Sequence, residues 1–511
     1  MKLQLPQLDD STKKEKAFND YIESLFKVTS KEWSAVAERK LLSVFKGAHK
    51  NVPAYKKFLT KYLIDAQSVR SISSFDSVPS VTKKNYLRKY PWEDLCKTKA
   101  LQLQPLVMTS TSGSTGEPFY FPRTTSIDLQ SSVYHQMFLR TSKVSKKKST
   151  LIVNCFGMGV WIGGLITYQA FKHAGELGWP VTVITPGINK HEIFQALRNL
   201  GPKYDQIILC GYPPFMKDVI DQAKDHGVKW HDFNLRIIFA AESFSETFRD
   251  YVVRLMGIKD VYRDTMNIYG SADLGTMAQE TPLCILLRRL ALDNKQLYIR
   301  LFKQSVRLPT LAQFIPEFVT FEEKNGSVYC TGDNVLPLVR YEIGDNGAVL
   351  TYGDIERICE EEGIDLQKEI VRANIKDTIT ELPFVCVYER SDFSTKLYGA
   401  IIYPEYIKKG LQKEHLEEYI TSKFTMYTRF DDQEDEYLEI NIELQPNVEE
   451  TEKLRHEVAL SVSKALIEES AEHKNNTTLL SQGKVEPRII FWTAEHETHF
   501  KVGGKQKWVK K

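Results

Sequence analysis

The chain has 511 residues, a length that predicts at least two domains, and its 42% hydrophobic and 26% charged residues are typical of a globular protein. Its formal net charge of +2 predicts neither a nucleic-acid partner nor binding to a membrane surface. The seven cysteines include no CxxC pair, which argues against a zinc ribbon and a disulfide framework. The N-terminal segment MKLQLPQLDDSTKKEK is too polar for a signal peptide, so a cytoplasmic protein is expected.

In chain order, the first predicted elements are two helices, over KEKAFNDYIESLF and EWSAVAERKLLSVFKGA. From about residue 150, short runs rich in Ile and Val alternate with amphipathic stretches such as HEIFQALRNL and ETFRDYVVRLM. The predicted strands are LIVNCF (151–156), VTVIT (181–185), QIILC (206–210), RIIFAA (236–241) and MNIY (266–269). Strand and helix in alternation predict an α/β fold, with a mostly parallel sheet flanked by helices.

Residues 149–171 carry no formal charge and are long enough to span a bilayer. Asn154, four glycines and Gln169 interrupt the apolar run, however. We therefore interpret the segment as a buried strand, a glycine turn and a buried helix, and expect no membrane span.

The C-terminal half predicts two further regions. Residues 295–352 are expected to form a separate subdomain of short strands, because NGSVYCTGDN and IGDNGAVL carry turn signals. After about residue 388, a strand over EYLEINIEL, a helix over 449–470 and a strand over PRIIFW predict a small α+β unit. The predicted domains are thus residues 1–388 and 389–511.

The stretch TSTSGSTGEPFYF (109–121) concentrates hydroxyl side chains and glycines in one loop. Its backbone N–H groups and hydroxyls can surround phosphate oxygens, and glycine permits a close approach. The loop is not a Walker A motif, since it lacks the lysine and the strand-to-helix setting. A flexible Ser/Gly linker is the alternative interpretation.

Two other stretches favour a nucleotide over a linker. IYGSAD (268–273) ends a strand with Tyr269, whose ring can stack on a purine, and with Asp273, a candidate ligand for Mg²⁺. RYEIGD (340–345) ends in Asp345, whose carboxylate can accept hydrogen bonds from both ribose hydroxyls.

Taken together, these stretches resemble the adenylate-forming enzymes, in the branch that contains phenylacetate–coenzyme A ligase. The resemblance runs from about residue 40 to residue 400. The matching stretches are SGSTGEP (112–118, phosphate loop), FGMGVWIGGL (156–165), AAESF (240–244, adenine loop), YGSAD (269–273), PLVRYEIGD (337–345) and ERSDF…YG (389–399, hinge).

The resemblance implies a ligase in which a carboxylic acid and ATP·Mg²⁺ give an acyl-adenylate, from which a thiol then displaces AMP. Coenzyme A is the expected thiol. Transfer to an acyl carrier protein or an amine, in polysaccharide or natural-product biosynthesis, is one alternative, and a non-catalytic nucleotide-binding protein is another. The resemblance also implies a large N-terminal domain and a small mobile C-terminal domain; the oligomeric state is left open, with a dimer among the options.

It further implies a role for particular residues. Lys505, with Lys507 as second choice, would be the catalytic lysine of the C-terminal domain; Asp273 would bind Mg²⁺ and Asp392 would lie at the hinge. The implied nucleotide-binding residues are Ser112, Gly113, Ser114, Thr115, Gly116, Ala241, Glu242, Tyr269, Gly270, Ser271, Asp345 and Arg390, the last of these also at the hinge. The implied acid-binding residues are Phe156, Trp161, Tyr212 and Phe244, which suggest a flat aromatic or short acid.

Four positions depart from the family pattern. Glu117 stands where the family has lysine, Ala272 where it has a hydroxyl, Asp273 where it has glutamate and Glu389 where it has the hinge glycine. These departures keep the non-catalytic alternative open.

Overall fold

The structure is a computed structural model, and it describes residues 4–6, 14–103, 105–111, 118–144, 147–159, 162–303, 308–390, 394–494, 496, 499 and 500. The chain forms two compact units. The first comprises Met1–Thr109, Tyr120–Gly211 and Ile220–Glu389, and the second comprises Ser110–Phe119, Tyr212–Val219 and Arg390–Lys511.

The described residues contain helices and strands throughout both units. The helices are α1 (Lys14–Leu25), α2 (Ser30–Asn51), α3 (Pro53–Lys61), α4 (Ile72–Phe75), α5 (Trp92–Leu95), α6 (Ala100–Leu103), α7 (Thr125–Thr141), α8 (Ile162–Glu176), α9 (Lys190–Asn199), α10 (Pro213–Gln222), α11 (Glu246–Met256), α12 (Pro282–Asp293), α13 (Lys295–Phe302), α14 (Tyr352–Glu361), α15 (Leu366–Arg372), α16 (Pro404–Leu411), α17 (Glu452–Glu469), α18 (Ala471–Leu479) and α19 (Gln482–Val485). The strands are β1 (Val107–Ser110), β2 (Tyr120–Arg123), β3 (Thr150–Asn154), β4 (Val181–Ile184), β5 (Gln206–Gly211), β6 (Leu235–Ala240), β7 (Thr265–Ser271), β8 (Gly275–Gln279), β9 (Thr310–Gln313), β10 (Val319–Lys324), β11 (Ser327–Gly332), β12 (Leu338–Leu350), β13 (Phe384–Arg390), β14 (Thr395–Leu397), β15 (Ala400–Ile402), β16 (Ile420–Phe430), β17 (Glu436–Leu444) and β18 (Arg488–Trp492).

An 11-stranded sheet forms the centre of the first unit, in the order β10-β11-β12-β13-β9-β8-β7-β6-β5-β3-β4. The neighbouring pairs from β4 to β7 are parallel, as predicted from the alternation of strands and helices. The pairs β7–β8, β8–β9, β9–β13, β11–β12 and β10–β11 are antiparallel. Every residue of β3 and β5 is buried, as expected for strands covered on both faces.

The structure differs from the prediction for residues 295–352 at two points. Residues 295–302 form helix α13, capped by the Asn294 side chain, which accepts hydrogen bonds from the Gln296 and Leu297 N–H groups. Its Leu297, Leu301 and Phe302 side chains are buried, which is the helical spacing that the sequence analysis overlooked. The strands that follow, β9 to β12, belong to the 11-stranded sheet rather than to a separate one.

Residues 149–171 form strand β3 and the beginning of helix α8, as the glycine turn and the interrupted apolar run predicted. Among the residues that the structure describes, no helix is both long and apolar enough to cross a bilayer. All seven cysteines are buried as free thiols.

Helix α7 is buried along nearly its whole length and carries a buried histidine. The Nδ1 atom of His135 lies 2.8 Å from the Ser131 carbonyl oxygen, and its ring meets the Phe171 ring edge-on with centroids 4.9 Å apart. Burial lowers the pKa of His135 from 6.5 to about 4. The folded protein therefore holds this imidazole neutral.

We expect His135 to destabilise the fold as the pH falls from 6.5 towards 4, because the unfolded chain binds a proton in this range and the folded chain does not. The loss should reach about 3 kcal/mol near pH 4. Urea unfolding midpoints of the wild type and of His135→Gln, measured from pH 7 to pH 4, test this. As the pH falls from 7 to 4, the unfolding midpoint of the wild type should decrease more than that of His135→Gln. Equal decreases in both proteins would contradict the buried neutral state of His135.

The second unit contains a three-stranded sheet in which β16 and β17 are antiparallel and β17 and β18 are parallel. One row of β17 side chains, Leu438, Ile440 and Ile442, is fully buried in the core. Helix α17 contributes Leu454, Val458, Val462 and Leu466, at the four-residue spacing seen in the sequence. Gly410 of α16 permits a close helix contact, since a Cβ there would lie 2.7 Å from the Val462 Cα.

Candidate nucleotide-binding site

The site candidates of the first unit lie where parallel strands end. Strand β6 ends at Ala240 and is followed directly by Ala241 and Glu242 of the predicted adenine loop. The neighbouring strand β7 ends at Ser271 and carries Tyr269. Carboxyl ends of parallel strands share one edge of the sheet, the usual ligand-binding edge of α/β folds. The structure therefore places these two candidate motifs at the same edge.

The adenine-loop candidate has a strained backbone that its surroundings fix. Ala241 has a φ of +76°, in the left-handed region that costs a non-glycine residue about 1 kcal/mol or more. Its neighbour Glu242 is buried, and the Glu242 carbonyl accepts a hydrogen bond from the Asn267 side chain at 3.0 Å. Since Asn267 lies on β7, this bond ties the loop to the strand that carries Tyr269.

Below this loop lies a buried network of two arginines and two glutamates. Arg249 contacts both carboxylate oxygens of Glu280 at 2.7 Å and the Glu246 carboxylate at 2.9 Å. Arg288 contacts the same two glutamates at 2.8 Å each, and its other nitrogen donates to the Phe244 carbonyl at 2.5 Å. All four charged side chains are at most 4% exposed. The network thus holds the end of the adenine loop through the backbone of Phe244.

The charges in this network support one another. Burial alone would lower the pKa of Arg249, but the Glu246 and Glu280 carboxylates outweigh burial and raise it. For Glu246, burial raises the pKa, whereas Arg249, Arg288 and Arg289 together lower it below its usual value of 4.5. Arg289 adds a third arginine to the network through its contact with the Glu246 carboxylate at 3.0 Å.

Two reciprocal hydrogen bonds join the YGSAD stretch to strand β12. The Tyr269 hydroxyl donates to Asp345 at 2.6 Å, and the Tyr341 hydroxyl donates to Asp273, also at 2.6 Å. Both carboxylates are buried, with 8% exposure for Asp345 and 5% for Asp273. The predicted ribose carboxylate and the predicted metal carboxylate are thus brought to one place, and each is held by a tyrosine of the other stretch.

Arg340 fixes the strand that carries Tyr341 and Asp345. Its φ is +47°, and one of its terminal nitrogens donates to the carbonyls of Phe75, Asp76 and Val78 at 3.0, 3.0 and 2.8 Å. Its other terminal nitrogen donates to Glu322 at 2.7 Å. Arg340 therefore links β12 to its surroundings rather than presenting its charge for a ligand.

The described residues on either side of the phosphate-loop candidate form its base. The Thr111 N–H donates to the Phe119 carbonyl at 3.0 Å, and the Phe119 N–H donates to the Thr111 hydroxyl at 3.2 Å. In the first unit, the Thr109 hydroxyl lies 3.2 Å from the Ala272 carbonyl of the YGSAD stretch. Within the first unit, Thr109 is therefore bonded to the same turn that carries Asp273.

A buried asparagine supports the glycine-rich stretch that follows β3. The Asn154 side-chain amide donates to the Gly164 carbonyl at 2.8 Å, and its oxygen accepts from the Phe156 N–H at 3.3 Å. Gly164 itself has no room for a side chain, because a Cβ would lie 2.4 Å from the Gly157 carbonyl oxygen. Asn154 therefore closes the turn between β3 and α8.

We expect Asn154→Ala to lower the free energy of unfolding by about 1–3 kcal/mol, because it removes both buried hydrogen bonds that the Asn154 side chain makes in this turn. Urea unfolding measures this change, with the exposed Asn199→Ala on α9 as the control. If the turn contributes to acid binding, the KM for the acid should rise more than the KM for ATP. A variant as stable as the control would contradict the role of Asn154.

The candidates for acid binding lie in different surroundings. Phe156 is fully buried, and a Cβ at Gly163 would lie 3.4 Å from its ring. Phe244 is buried with ring centroids 4.9 Å from Phe239 and 5.5 Å from Phe248, and Arg249 lies 4.8 Å above it. These contacts are those of core residues, so the assignment of both to the acid stays a prediction.

In the second unit, Tyr212 is half-buried, and a Cβ at Gly399 would lie 3.7 Å from its ring. Its role in acid binding also stays a prediction. Several predicted residues lie outside the described part of the chain: Ser112, Gly113, Ser114, Thr115, Gly116, Glu117, Trp161, Asp392, Lys505 and Lys507. Arg390 ends strand β13, and its side chain is outside the described set.

The remaining two candidates for nucleotide binding, Gly270 and Ser271, lie in the YGSAD turn. A Cβ at Gly270 would lie 2.7 Å from the Gly275 carbonyl oxygen, so glycine is required by the tight β7–β8 turn itself. The Ser271 hydroxyl accepts a hydrogen bond from the Leu274 N–H at 3.2 Å, which also stabilises this turn. Both contacts are local, and contact with a nucleotide stays a prediction for both residues.

Sequence reasoning overlooked Tyr341, Asn154 and the arginines beneath the adenine loop. Tyr341 is part of the quoted PLVRYEIGD stretch, but its partner Asp273 is 68 residues away, and no local pattern reveals the pair. Arg249 and Arg288 lie within helices α11 and α12, where a charged side chain usually indicates a solvent-facing position. A polar residue at the end of an apolar strand was the one available signal for Asn154.

The donor set is compatible with ATP·Mg²⁺. Asp273 has the kind of carboxylate that Mg²⁺ prefers, and the Asp345 carboxylate is the kind of acceptor that ribose hydroxyls could use. Within the described part of the chain, no group of three or more His, Cys, Asp or Glu side chains could hold a metal ion. A metal here would therefore take most of its ligands from water and from a bound phosphate.

No protein-family model matches the chain, and no curated protein matches it. Solved structures do. The chain is similar to 2-hydroxyisobutyryl-CoA ligase in complex with 2-HIB-AMP and CoA in the thioesterification state, with a TM-score of 0.60, 14% identity, and coverage of 95% of this chain and 90% of that chain.

The same ligase in the postadenylation state with R3-HIB-AMP gives a TM-score of 0.51 at 14% identity, over 93% of this chain and 89% of that chain. The α/β fold class predicted from the sequence is confirmed by this similarity, which spans nearly the whole of both chains. The protein therefore has the fold of the adenylate-forming ligases.

Proposed function

We propose that the protein is an AMP-forming ligase, which activates a carboxylic acid with ATP and transfers the acyl group to the thiol of coenzyme A. The observation that supports this most directly is that Tyr269, Asp273 and Asp345 lie together at the edge of the sheet where parallel strands end, joined through two tyrosine–carboxylate bonds. The similar ligase was solved with an acyl-adenylate and with CoA, which are the intermediate and the acceptor of this reaction.

In the adenylation step, the residues of this chain bind and orient ATP. Asp345 accepts the ribose hydroxyls, and Tyr269 offers its ring to the adenine beside Ala241 and Glu242. The Ser112–Gly116 stretch surrounds the phosphates with N–H and hydroxyl donors. Bound Mg²⁺, held through Asp273, would neutralise charge on the phosphate oxygens. Positioning of the acid oxygen against the α-phosphate supplies the main rate acceleration.

The substrate is proposed as a short or flat aromatic carboxylic acid, because the acid-binding residues that the family resemblance implies, Phe156, Trp161, Tyr212 and Phe244, are bulky and aromatic. The phenylacetate–CoA ligase branch remains the proposed relative on the motifs alone. The carrier-protein and amine acceptors are outcomes of the tests below, as is a protein that binds the nucleotide without catalysis.

ATP–pyrophosphate exchange with a panel of short and aromatic carboxylic acids tests the proposed function. Exchange that depends on one class of acid is expected. Measurable ATP binding without exchange for any acid would refute the ligase and leave the non-catalytic alternative. Mass spectrometry of the products then identifies the acceptor, and AMP release with CoA present but without an acyl-CoA product would exclude coenzyme A.

We expect Lys505→Ala to lower the adenylation rate about 10²–10³-fold, because it removes a positive charge from the phosphoryl transition state. The thioester-forming step from a supplied acyl-adenylate should be retained. Pyrophosphate exchange and single-turnover thioester formation measure the two steps, with Lys510→Ala as the control. Exchange that survives Lys505→Ala and Lys507→Ala together would contradict the lysine assignment.

A further inference from the structure

Asp273, the proposed metal ligand, accepts a hydrogen bond from Tyr341. Neither the proposed reaction nor the sequence motif gives this tyrosine a role. The Tyr341 hydroxyl donates to the Oδ2 atom of Asp273 at 2.6 Å. Tyr341 is fully buried and Asp273 is 5% exposed, so water competes little for this bond. A short bond from a hydroxyl to a buried carboxylate is among the stronger neutral-to-charged hydrogen bonds.

The position of the tyrosine is itself fixed on both sides along the chain. The Val81 N–H donates to the Arg340 carbonyl at 3.1 Å, and the Glu342 N–H donates to the Val81 carbonyl at 2.9 Å. Arg340 is anchored through its own guanidinium group. The backbone on both sides of Tyr341 is therefore held, and its buried ring favours one position of the hydroxyl and one orientation of the Asp273 carboxylate.

This orientation restricts how the carboxylate can bind a metal. The hydroxyl takes up one lone pair of Oδ2, which disfavours ligation of a metal through both oxygens and leaves Oδ1 as the better ligand. One-oxygen ligation suits Mg²⁺, which requires near-octahedral geometry and keeps several waters, whereas Ca²⁺ readily takes both oxygens of a carboxylate.

We propose that Tyr341 is a positioning residue that limits Asp273 to one metal-facing oxygen and thereby makes the nucleotide site select Mg²⁺ over Ca²⁺. This inference rests on the proposed function, in which Asp273 binds the metal that accompanies ATP. It adds to that function the cause of a metal preference, which lies in a side chain that touches neither metal nor nucleotide.

Calorimetric binding of ATP with Mg²⁺, with Ca²⁺ and without metal tests the proposal in the wild type and in Tyr341→Phe. Tyr341→Phe should lower the Mg²⁺-dependent affinity roughly 10- to 100-fold, the usual effect of removing a partner of a metal ligand. The Ca²⁺-dependent affinity for ATP should fall less, so the ratio of the Mg²⁺-dependent to the Ca²⁺-dependent affinity should decrease. An unchanged Mg²⁺-to-Ca²⁺ ratio would overturn the proposal.

Tyr86→Phe is the matched control. Tyr86 is 1% exposed, and its hydroxyl has no hydrogen-bond partner within the described residues, so its loss tests the removal of a buried hydroxyl in general. In Tyr86→Phe, the ratio of Mg²⁺-dependent to Ca²⁺-dependent ATP affinity should equal that of the wild type. An equal narrowing in Tyr86→Phe would overturn the specific role of Tyr341.

A double-mutant comparison shows whether Tyr341 acts through Asp273, and it applies even if Tyr341→Phe alone does not fold. Asp273→Asn removes the buried charge that needs the hydroxyl. Adding Tyr341→Phe to Asp273→Asn should then cause no further change in metal dependence. A further loss would overturn the proposal.

Failure of the proposed function gives a different result from failure of this inference. If the wild type binds no ATP, or binds it equally with and without metal, the assignment of Asp273 fails and the inference fails with it. If the wild type requires Mg²⁺ and catalyses exchange while Tyr341→Phe keeps the full metal preference, only the role of Tyr341 is refuted.

Discussion

Asp345→Ala is expected to weaken ATP binding about 10- to 100-fold. Two hydrogen bonds from ribose hydroxyls to a charged acceptor are lost, each worth about 1.5–3 kcal/mol at most, and part of this is recovered by water. The variant also removes the acceptor of the Tyr269 hydroxyl, so the ring at the adenine position is held less firmly. Calorimetry and the KM for ATP in pyrophosphate exchange measure the effect.

A nucleotide analogue separates ribose recognition from general damage to the site. The wild type should bind 2′-deoxy-ATP more weakly than ATP, whereas Asp345→Ala should bind the two with equal affinity. Glu342→Gln serves as the control, since it removes a carboxylate from the opposite face of the same strand. Continued discrimination between the two nucleotides by Asp345→Ala would show that Asp345 does not bind the ribose.

Arg249→Met is expected to lower the free energy of unfolding by about 3–5 kcal/mol. The substitution removes one cation from the buried network, and Glu246 and Glu280 then share the remaining arginines. Removing an arginine together with its glutamate partner would lower the free energy of unfolding less, because the main cost comes from a buried charge that has lost its partner. Urea unfolding of the purified protein at neutral pH measures the change.

Two further variants test the electrostatic cause. Arg300→Met removes an exposed arginine that pairs with Glu361 and Glu362, and its unfolding midpoint should not differ from that of the wild type. Adding Glu280→Gln to Arg249→Met should restore part of the lost stability, since it removes one uncompensated charge. A double variant less stable than Arg249→Met would indicate that packing, rather than charge, dominates at this position.

Local patterns predicted the regular elements closely. The stretch ETFRDYVVRLM matches helix α11 at both ends, and EYLEINIEL matches strand β17. The first follows a capping Ser245, and the second alternates apolar and polar side chains, so short-range chemistry determines both. The order of strands was not predicted: β13 and β9 are neighbours in the sheet although 70 residues separate them along the chain, from Gln313 to Phe384.

The site was predicted to a smaller extent than the fold. Tyr269, Asp273 and Asp345 were named from their motifs, and the structure brings them together. The arginines that support the adenine loop were not found, because the sequence does not distinguish a buried, paired arginine from a solvent-facing one. Only the fold reveals that α11 and α12 place their charges against each other.

The reciprocal tyrosine–carboxylate pairs make residues 269–273 and 341–345 one unit for protein engineering. A graft that transfers the first stretch into another ligase without the second brings Asp273 without its hydroxyl donor, and Tyr269 without its acceptor. Each mismatch removes a hydrogen bond to a carboxylate, which is worth about 1.5–3 kcal/mol. Chimeras and motif exchanges built from this chain should therefore move both stretches together.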